Sequence, residues 1–584
     1  MHDHHSVSKT IHYAVSALAL TALLASACAK PTVEEKKAEE PAPEPMRQAA
    51  PSPPSPSKPA PKMADAMEGI VAYDAASAGN SSVASAAVQG YAPSSMRDQP
   101  ANTEKYPGGK PNQTKIAAED PVSTFSIDVD TASYGVVRRY LNQGSLPPRE
   151  AVRIEEMVNY FDYSYPLPKT REQPFASTVQ VYPAPWNKDT LLMHIGIKGY
   201  DLPATERPPA NLVFLIDVSG SMDEPDKLPL VKQSLRLLVN ELKETDSVAM
   251  VVYAGNAGTV LEPTSGKDKD KILAALDRLE AGGSTAGGEG VRQAYALAKQ
   301  NYAKAKVNRV ILATDGDFNV GITDPKRLED FVAHERDGGI YLTCLGFGGG
   351  NYNDVTMQSL AQAGNGNAAF IDTLNEARKV LVDEMGSTLF PIAKDVKIQV
   401  EFNPQTVAEY RLIGYETRLL DRTDFNNDKV DAGDIGAGHA VTAIYEVTPK
   451  GSAARLSDPL RYGASAPTGQ EDELAFLKIR YKLPDGTVSK LIERPIGAKE
   501  RLARFADAPE DSRFAAAVAG VGQLLKGDAH IGKTTLADLR AIAQDAKGND
   551  PFGYRAEFVT LIRSAETAPP LPPLEMSGGP GRMQ

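Results

Sequence analysis

The chain has 584 residues, 42% hydrophobic and 24% charged, with a formal net charge of −12. That length exceeds one hydrophobic core and calls for about three to four domains; the acidic balance, with no clustered Lys and Arg, excludes non-specific nucleic-acid binding and suits either plain solubility or the holding of cations. The two cysteines, Cys28 and Cys344, exclude a disulfide framework.

Residues 11–27, "IHYAVSALALTALLASA", form an apolar stretch behind Lys9. It is too short to span a bilayer comfortably and reads as the core of a signal peptide, residues 1–27. The stretch ends in "LLASAC", which resembles a bacterial lipobox, with Leu24 one place earlier than usual and Ala25 in its stead. The resemblance implies that Cys28 is acylated, becomes the new N-terminus and anchors the protein in a membrane. Ala29, rather than Asp, follows it, which in double-membrane bacteria implies an outer-membrane lipoprotein of the cell envelope, facing the periplasm or the surface. The alternative is a plain secretory leader with an accidental cysteine. From 28 to 115 the composition turns to Pro, Ala, Glu and Ser, as in "PSPPSPSKPAPK". Such a segment cannot bury enough apolar surface to fold and predicts a disordered tether. Fully extended, at about 3 Å per residue, it would reach well over 100 Å.

A flanking segment, 116–204, follows. "SIDVDTASY" places Asp128 and Asp130 on one strand face, ahead of a helix starting near Thr131 that they are expected to cap. The alternation in residues 175–202 predicts a hairpin. From 205 to 388, strand and helix patterns alternate. "NLVFLID" (211–217) is a buried strand. Leu228, Val231, Leu235, Leu238 and Leu242 then recur on one helical face. "SVAMVVYAG", "NRVILATDG", "GIYLTCLGFG" and "AAFIDT" are further strands, separated by helices over 271–282, 291–302, 352–364 and 374–389. Cys344 is expected to be a buried small hydrophobe. Buried strands alternating with amphipathic helices predict an α/β fold, a doubly wound, mostly parallel sheet covered on both faces.

In such a sheet, ligands bind at the carboxyl ends of the strands. Three polar clusters should meet there: Asp217, Ser219 and Ser221 after the first strand, Thr285 (or its neighbour Ser284) in "GGSTAGGEG", and Asp315 in "TDGD". All are hard oxygen donors, with no His or Cys among them. They suit Mg²⁺, with Ca²⁺ or Mn²⁺ as alternatives, and argue against zinc. Helix capping would account for Asp217 and Ser219 but for neither Thr285 nor Asp315.

The order Asp-x-Ser-x-Ser, distant Thr, distant Asp resembles the von Willebrand factor A domain and its metal-ion-dependent adhesion site. The resemblance implies that Ser219 and Ser221 bind the metal directly. Thr285, Asp217 and Asp315 would bind directly or through water, and a carboxylate from a partner protein would complete the shell. The flanks, in 123–168, 409–447 and 550–566, resemble bacterial lipoproteins of this family with an N-terminal segment and a C-terminal domain of unknown function.

Alternation in "DVKIQVEFNP" and "LAFLKIRYKLP" predicts a C-terminal β domain over 389–500. The doubly wound sheet starts and ends on one edge, so the two flanks should combine into a single antiparallel β domain with the α/β domain inserted in it. Residues 501–566 have helical period, and 567–584 read as a disordered tail. "GDAHIGKT" (527–534) matches a phosphate loop but follows a helix instead of a strand, so a turn, with no nucleotide, is expected. "DFNNDKVDAGD" (424–434) alternates oxygen ligands like a calcium loop but lacks its glycine and terminal acid, and reads as an Asx-rich turn.

Two function classes survive: a lipid-anchored adhesion or assembly factor that captures an acidic group of a partner protein through the metal, and a metal-dependent hydrolase using the same ion. The mature chain has only His194, His334, His439 and His530, none beside the metal motifs, and no nucleophile elbow. The expectation is therefore a binding protein and not an enzyme.

Overall fold

Strand Ala210–Asp217 is buried along its whole length. Its alternate side chains serve two cores: Leu212, Phe214 and Ile216 pack with Val231, Leu235 and Ile272, whereas Val213 and Leu215 pack with Val291, Ala294 and Leu360. A strand buried on both faces needs helices above and below, and this requirement organises the middle of the molecule. The computed structural model describes residues 102–283, 287–316, 324–458 and 472–571; within residues 94–584 they pack as one unit.

The central sheet runs, in order, Ala368–Ile371, Ile340–Phe347, Val307–Thr314, Ala210–Asp217, Ser247–Tyr253 and Ala257–Ser265. Neighbours are parallel except the last pair, which is antiparallel. That edge strand is absent from the sequence-based expectation. Its residues, "AGTVLEPTS", are largely half-exposed and include Pro263, tolerable only where one side of the strand needs no partner. Helices Leu228–Glu241 and Lys269–Asp277 cover one face, and Gly287–Gln300, Pro325–Asp337 and Asp354–Ala363 the other. Cys344 is buried and free in the second core, where burial pushes its thiol pKa up.

Both flanks build antiparallel sheets together. One sheet runs Lys115–Ile116, Val407–Ile413, Ala440–Pro449, Leu191–Gly199 and Phe175–Pro183. In the other, Pro391–Phe402 pairs with Gly433–Gly436 and Val122–Ser126 on one side and with Glu473–Lys482 on the other, and Lys490–Gly497 closes the edge. Each sheet thus joins strands from before and after the α/β insertion. Helices Glu510–Lys526, Leu536–Asp545 and Tyr554–Thr567 pack on Ala132–Asn142 and Ile154–Asn159 over an aromatic core of Tyr134, Tyr160, Phe161, Phe514 and Phe558. Among the described residues no helix is long and apolar enough to cross a membrane.

Several local readings are revised. The strand before the first helix ends at Ser126, so Asp128 and Asp130 lie in the following turn. They cap nothing: Thr131 precedes the helix without a side-chain capping bond, and both acids accept from Arg418 Nη2, at 2.9 and 2.8 Å. The stretch 102–115, assigned by composition to the tether, is laced onto the body. Thr103 N and Lys105 N donate to Gly350 O and Tyr352 O, and Asn112 Nδ2 donates to Leu412 O and Gly414 O. The acids of 424–434 face separate partners, Asp428 with Arg480 and Asp431 with Arg336. In 527–534 a short turn, Ala529–Ile531, links two helices and Lys533 is exposed. Residues 1–101, with Cys28 and the signal peptide, and the tail from 572 lie outside the described residues.

Two buried arginines join the insertion to its flanks. Arg138 is wholly buried and bonds Asp372, Glu376 (2.8 Å) and the Tyr160 hydroxyl (2.9 Å). Glu557, from the last helix, approaches it at 3.4 Å. Arg153 pairs with Glu156 and, across the interface, with Asp354. Removing the cation from such a group strands buried carboxylates and costs about 3–5 kcal/mol. Arg138→Met should therefore lower the urea-unfolding free energy by about that amount, and adding Asp372→Asn and Glu376→Gln should recover part of it.

Candidate functional site

The site forms where the two central parallel strands end. Strand Ala210–Asp217 delivers Asp217, and its neighbour Val307–Thr314 delivers Thr314 and then Asp315. Both aspartates are fully buried. Asp217 Oδ1 accepts the Ser219 backbone N–H at 2.9 Å, an Asx turn that folds the chain back over the strand end. Asp217 Oδ2 accepts the Thr314 hydroxyl at 2.9 Å. The turn brings the Ser219 and Ser221 hydroxyls within 3.1 Å of each other. The following turn, Gly220–Asp223, leads to helix Leu228–Glu241.

A second loop is stitched to the first by backbone bonds. Gly282 N donates to Val218 O at 2.7 Å, and Gly220 N to Gly283 O at 3.0 Å. Gly283 stands two residues before Thr285, which, with Ser284, lies outside the described residues. The structure thus brings Asp217, Ser219, Ser221 and Asp315 to one end of the sheet and ties the loop leading to Thr285 alongside them. Gly316, at φ +92°, ends the Asp315 turn; a Cβ there would sit 2.5 Å from the Asn353 amide nitrogen, so only glycine lets the 348–353 loop close over the site.

The electrostatics differ between the two acids. Burial pushes the pKa of Asp217 up to about 6, with Asp315 adding repulsion against the bonds from Ser219 and Thr314. Burial also acts to raise Asp315, but hydrogen bonding from Asn351, the Lys227 ammonium and the Ser221 hydroxyl together hold it below the usual carboxylate range. Lys227 Nζ lies 3.0 Å from Asp315 Oδ2 and 3.3 Å from Asn351 Oδ1. Sequence reasoning missed Thr314, Lys227 and Asn351. Thr314 was reachable, standing directly before Asp315 at the end of a buried strand; Lys227 and Asn351 carry no spacing cue.

Two buried carboxylates, one ammonium and a pair of hydroxyls leave the site short of positive charge. That deficit and the all-oxygen donor set fit a hard dication such as Mg²⁺. A second acidic group, Asp128, Asp130 and Glu156, brings its oxygens within 4.8 Å of one another. Arg418 and Arg153 donate directly into it.

Comparison with known proteins places the chain among its relatives. Residues 211–383 match the von Willebrand factor type A domain, 100–194 match a family described as von Willebrand factor, and 387–568 match the family described as "Uncharacterized protein YfbK, C-terminal". The chain is 48% identical over 474 residues to the "Uncharacterized protein YfbK" of Escherichia coli K12, covering 80% of this chain and 81% of that one. It is 26% identical over 259 residues to human inter-alpha-trypsin inhibitor heavy chain H3, covering 41% of this chain and 29% of that one. Among solved structures, a von Willebrand factor type A protein from Catenulispora acidiphila is 18% identical with a TM-score of 0.40, covering 69% of this chain and 91% of that one. BatB from Bacteroides thetaiotaomicron is 23% identical with a TM-score of 0.26, covering 30% and 97%.

The raised pKa of Asp217 has a stability consequence. A carboxyl held above its unfolded value favours the fold below that value, near 3.8, and the benefit disappears as pH rises through about 6. Without metal, Asp217→Asn should therefore unfold later than the parent at pH 7.5, by on the order of 2 kcal/mol. Chemical denaturation in EDTA should show the gap closing below pH 4 and reversing when Mg²⁺ stabilises only the parent.

Proposed function

Because the chain belongs to the family of von Willebrand factor A proteins that includes Escherichia coli YfbK, we propose that it is a cell-envelope binding factor working through a divalent cation. Asp217, Ser219, Ser221, Thr285 and Asp315 hold the ion, Mg²⁺ by preference, with Ca²⁺ or Mn²⁺ as substitutes. The ion offers its remaining coordination position to an acidic side chain of a partner protein. The single observation that carries this reading is the gathering of hard oxygen donors around two buried carboxylates, Asp217 and Asp315, at the carboxyl end of the sheet. The ion supplies positive charge and an open coordination position. The chain's own residues fix the donors: Thr314 and the Ser219 amide orient Asp217, and Lys227 with Asn351 orients Asp315.

Acylation of Cys28 anchors the protein in the outer membrane, and the Pro- and Ala-rich segment behind it gives the binding body reach. Wide partners fit an adhesion or assembly role better than a small substrate does. For a metal-dependent hydrolase, none of the chain's described histidines stands at the site. His194 Nε2 is engaged with the Tyr165 hydroxyl at 2.6 Å, and His530 with Asp528 at 2.7 Å, both on the flanking β and helical parts. His334 lies on helix Pro325–Asp337 and His439 between strands of the flanking sheets.

Calorimetric titration with Mg²⁺ should show one site on the parent and none on Asp217→Ala or Asp315→Ala. Capture from envelope extract should depend on Mg²⁺ and on the same two residues. Turnover of generic ester or phosphate substrates that follows the metal would favour the hydrolase instead. Cys28→Ser should move the protein from the membrane to the soluble fraction.

A further inference from the structure

Lys227 is built into the site. Its side chain is 7% exposed, and Asp315 is the one carboxylate within ion-pair distance of it among the described residues. The stem reaches that carboxylate by crossing Gly348, at φ +70°. A Cβ on Gly348 would fall 2.5 Å from Lys227 Cγ and Cε and 2.9 Å from Cδ. The chain leaving strand Ile340–Phe347 is thus cut back to glycine to seat a lysine stem. A surface lysine paired casually with an acid would need no such seat. Asn351, from the same loop, takes a second hydrogen bond from the ammonium and fixes its direction.

The position has an electrostatic consequence. A dication between Asp217 and Asp315 would make those three groups neutral together. The Lys227 ammonium, beside Asp315 and shielded from water, leaves the loaded site with one net positive charge. Buried charges are screened little by salt, so this surplus acts at close range. Asp223, Glu224 and Asp226 on the adjoining loop are exposed, where water and salt weaken their opposing influence.

We propose that Lys227 sets the charge selectivity of the cation site: it lowers the site's affinity for the ion and makes the loaded site prefer an anionic outside ligand, such as a carboxylate, over a neutral one. This inference rests on the reading of Asp217 to Asp315 as a cation site. It assigns a specificity role to a residue that is not itself an oxygen donor. The two effects have opposite signs, which separates them from simple damage: loss of a merely structural lysine would weaken ion and ligand binding together.

The test uses the full chain with Mn²⁺ as the probe ion. Water-proton relaxation reports Mn²⁺ binding, and titration with acetate or the neutral acetamide reports displacement of the ion's bound water. On the parent, acetate should bind more tightly than acetamide. Lys227→Met should bind Mn²⁺ more tightly by on the order of tenfold and reduce the acetate-to-acetamide preference by a similar factor. Lys227→Arg should restore parent behaviour in both. Lys227→Gln carries the same expectations if the methionine variant folds poorly, with thermal unfolding in chelator as the folding control. Absence of either shift in a folded variant overturns the proposal while leaving the cation site standing. A parent chain that takes up no Mn²⁺ at millimolar concentration overturns the cation site, and the proposal falls with it.

Discussion

A carboxylate with no exposed surface at the end of a fully buried strand is the constraint around which this molecule is arranged. Asp217 cannot be hydrated where it stands, and an unpaired buried charge is far costlier than an unpaired buried dipole. The chain answers with two hydrogen bonds, from the Ser219 amide and the Thr314 hydroxyl, and both answers shape the backbone. The first bends residues 217–221 into the turn that presents the two serines. The second joins the ends of adjacent parallel strands, which fixes where Asp315 emerges. Two hydrogen bonds do not neutralise a charge, and burial keeps the pKa raised. The proposed function and the cost of burying this residue therefore share an origin, as is usual where strain or charge is concentrated at a binding site.

The α/β insertion is not a bead hung on a β scaffold. Its last segment supplies Asp372 and Glu376 to Arg138 of the N-terminal flank, and the C-terminal helix supplies Glu557 to the same guanidinium. Its helix Asp354–Ala363 sends Asp354 to Arg153 and Gln358 to Glu156. Buried ionic groups of this kind add little stability over an apolar contact of equal volume, but they penalise any arrangement that leaves one member unpaired. They make the three parts of the chain agree on one relative placement. Gly135 shows the same closeness sterically: a Cβ there would come within 2.5 Å of the Phe370 carbonyl of the insertion.

Legibility in the sequence followed the range of the interactions. The doubly wound sheet was readable because each strand and helix advertises itself locally, through runs such as "NLVFLID" and the spacing of Leu228, Val231, Leu235 and Leu238. The cluster of Asp217, Ser219, Ser221 and Asp315 was readable because these residues sit just after strand ends, where parallel sheets bind ligands. What escaped was set by partners far away along the chain. Asp128 and Asp130 look like helix caps until Arg418, nearly three hundred residues on, is seen between them. The strand Ala257–Ser265 escaped because half-exposure and Pro263 erase the alternation that marks a strand. The segment after 102 escaped because it has no periodicity of its own and is held by backbone bonds to another loop.

That last segment touches the site by a short path. Thr103 and Lys105 bind the backbone of Gly350 and Tyr352, and Glu104 accepts from the Gly350 amide and pairs with Arg139 at 2.7 Å. Tyr106 and Tyr140 both donate to the same carboxylate at 2.7 Å. Between the two anchored residues of the loop stands Asn351, the acceptor for Lys227. The 348–353 loop thus has glycines at three positions and little core of its own, and it owes its placement to the residues on either side of it: the N-terminal segment on one flank and the Lys227–Asp315 pair on the other. A loop held from both sides transmits whatever displaces either. The geometry of Asp315 is therefore bound to the point where the N-terminal segment joins the body, a dependence that follows from backbone hydrogen bonds and that no substitution of the oxygen donors would remove.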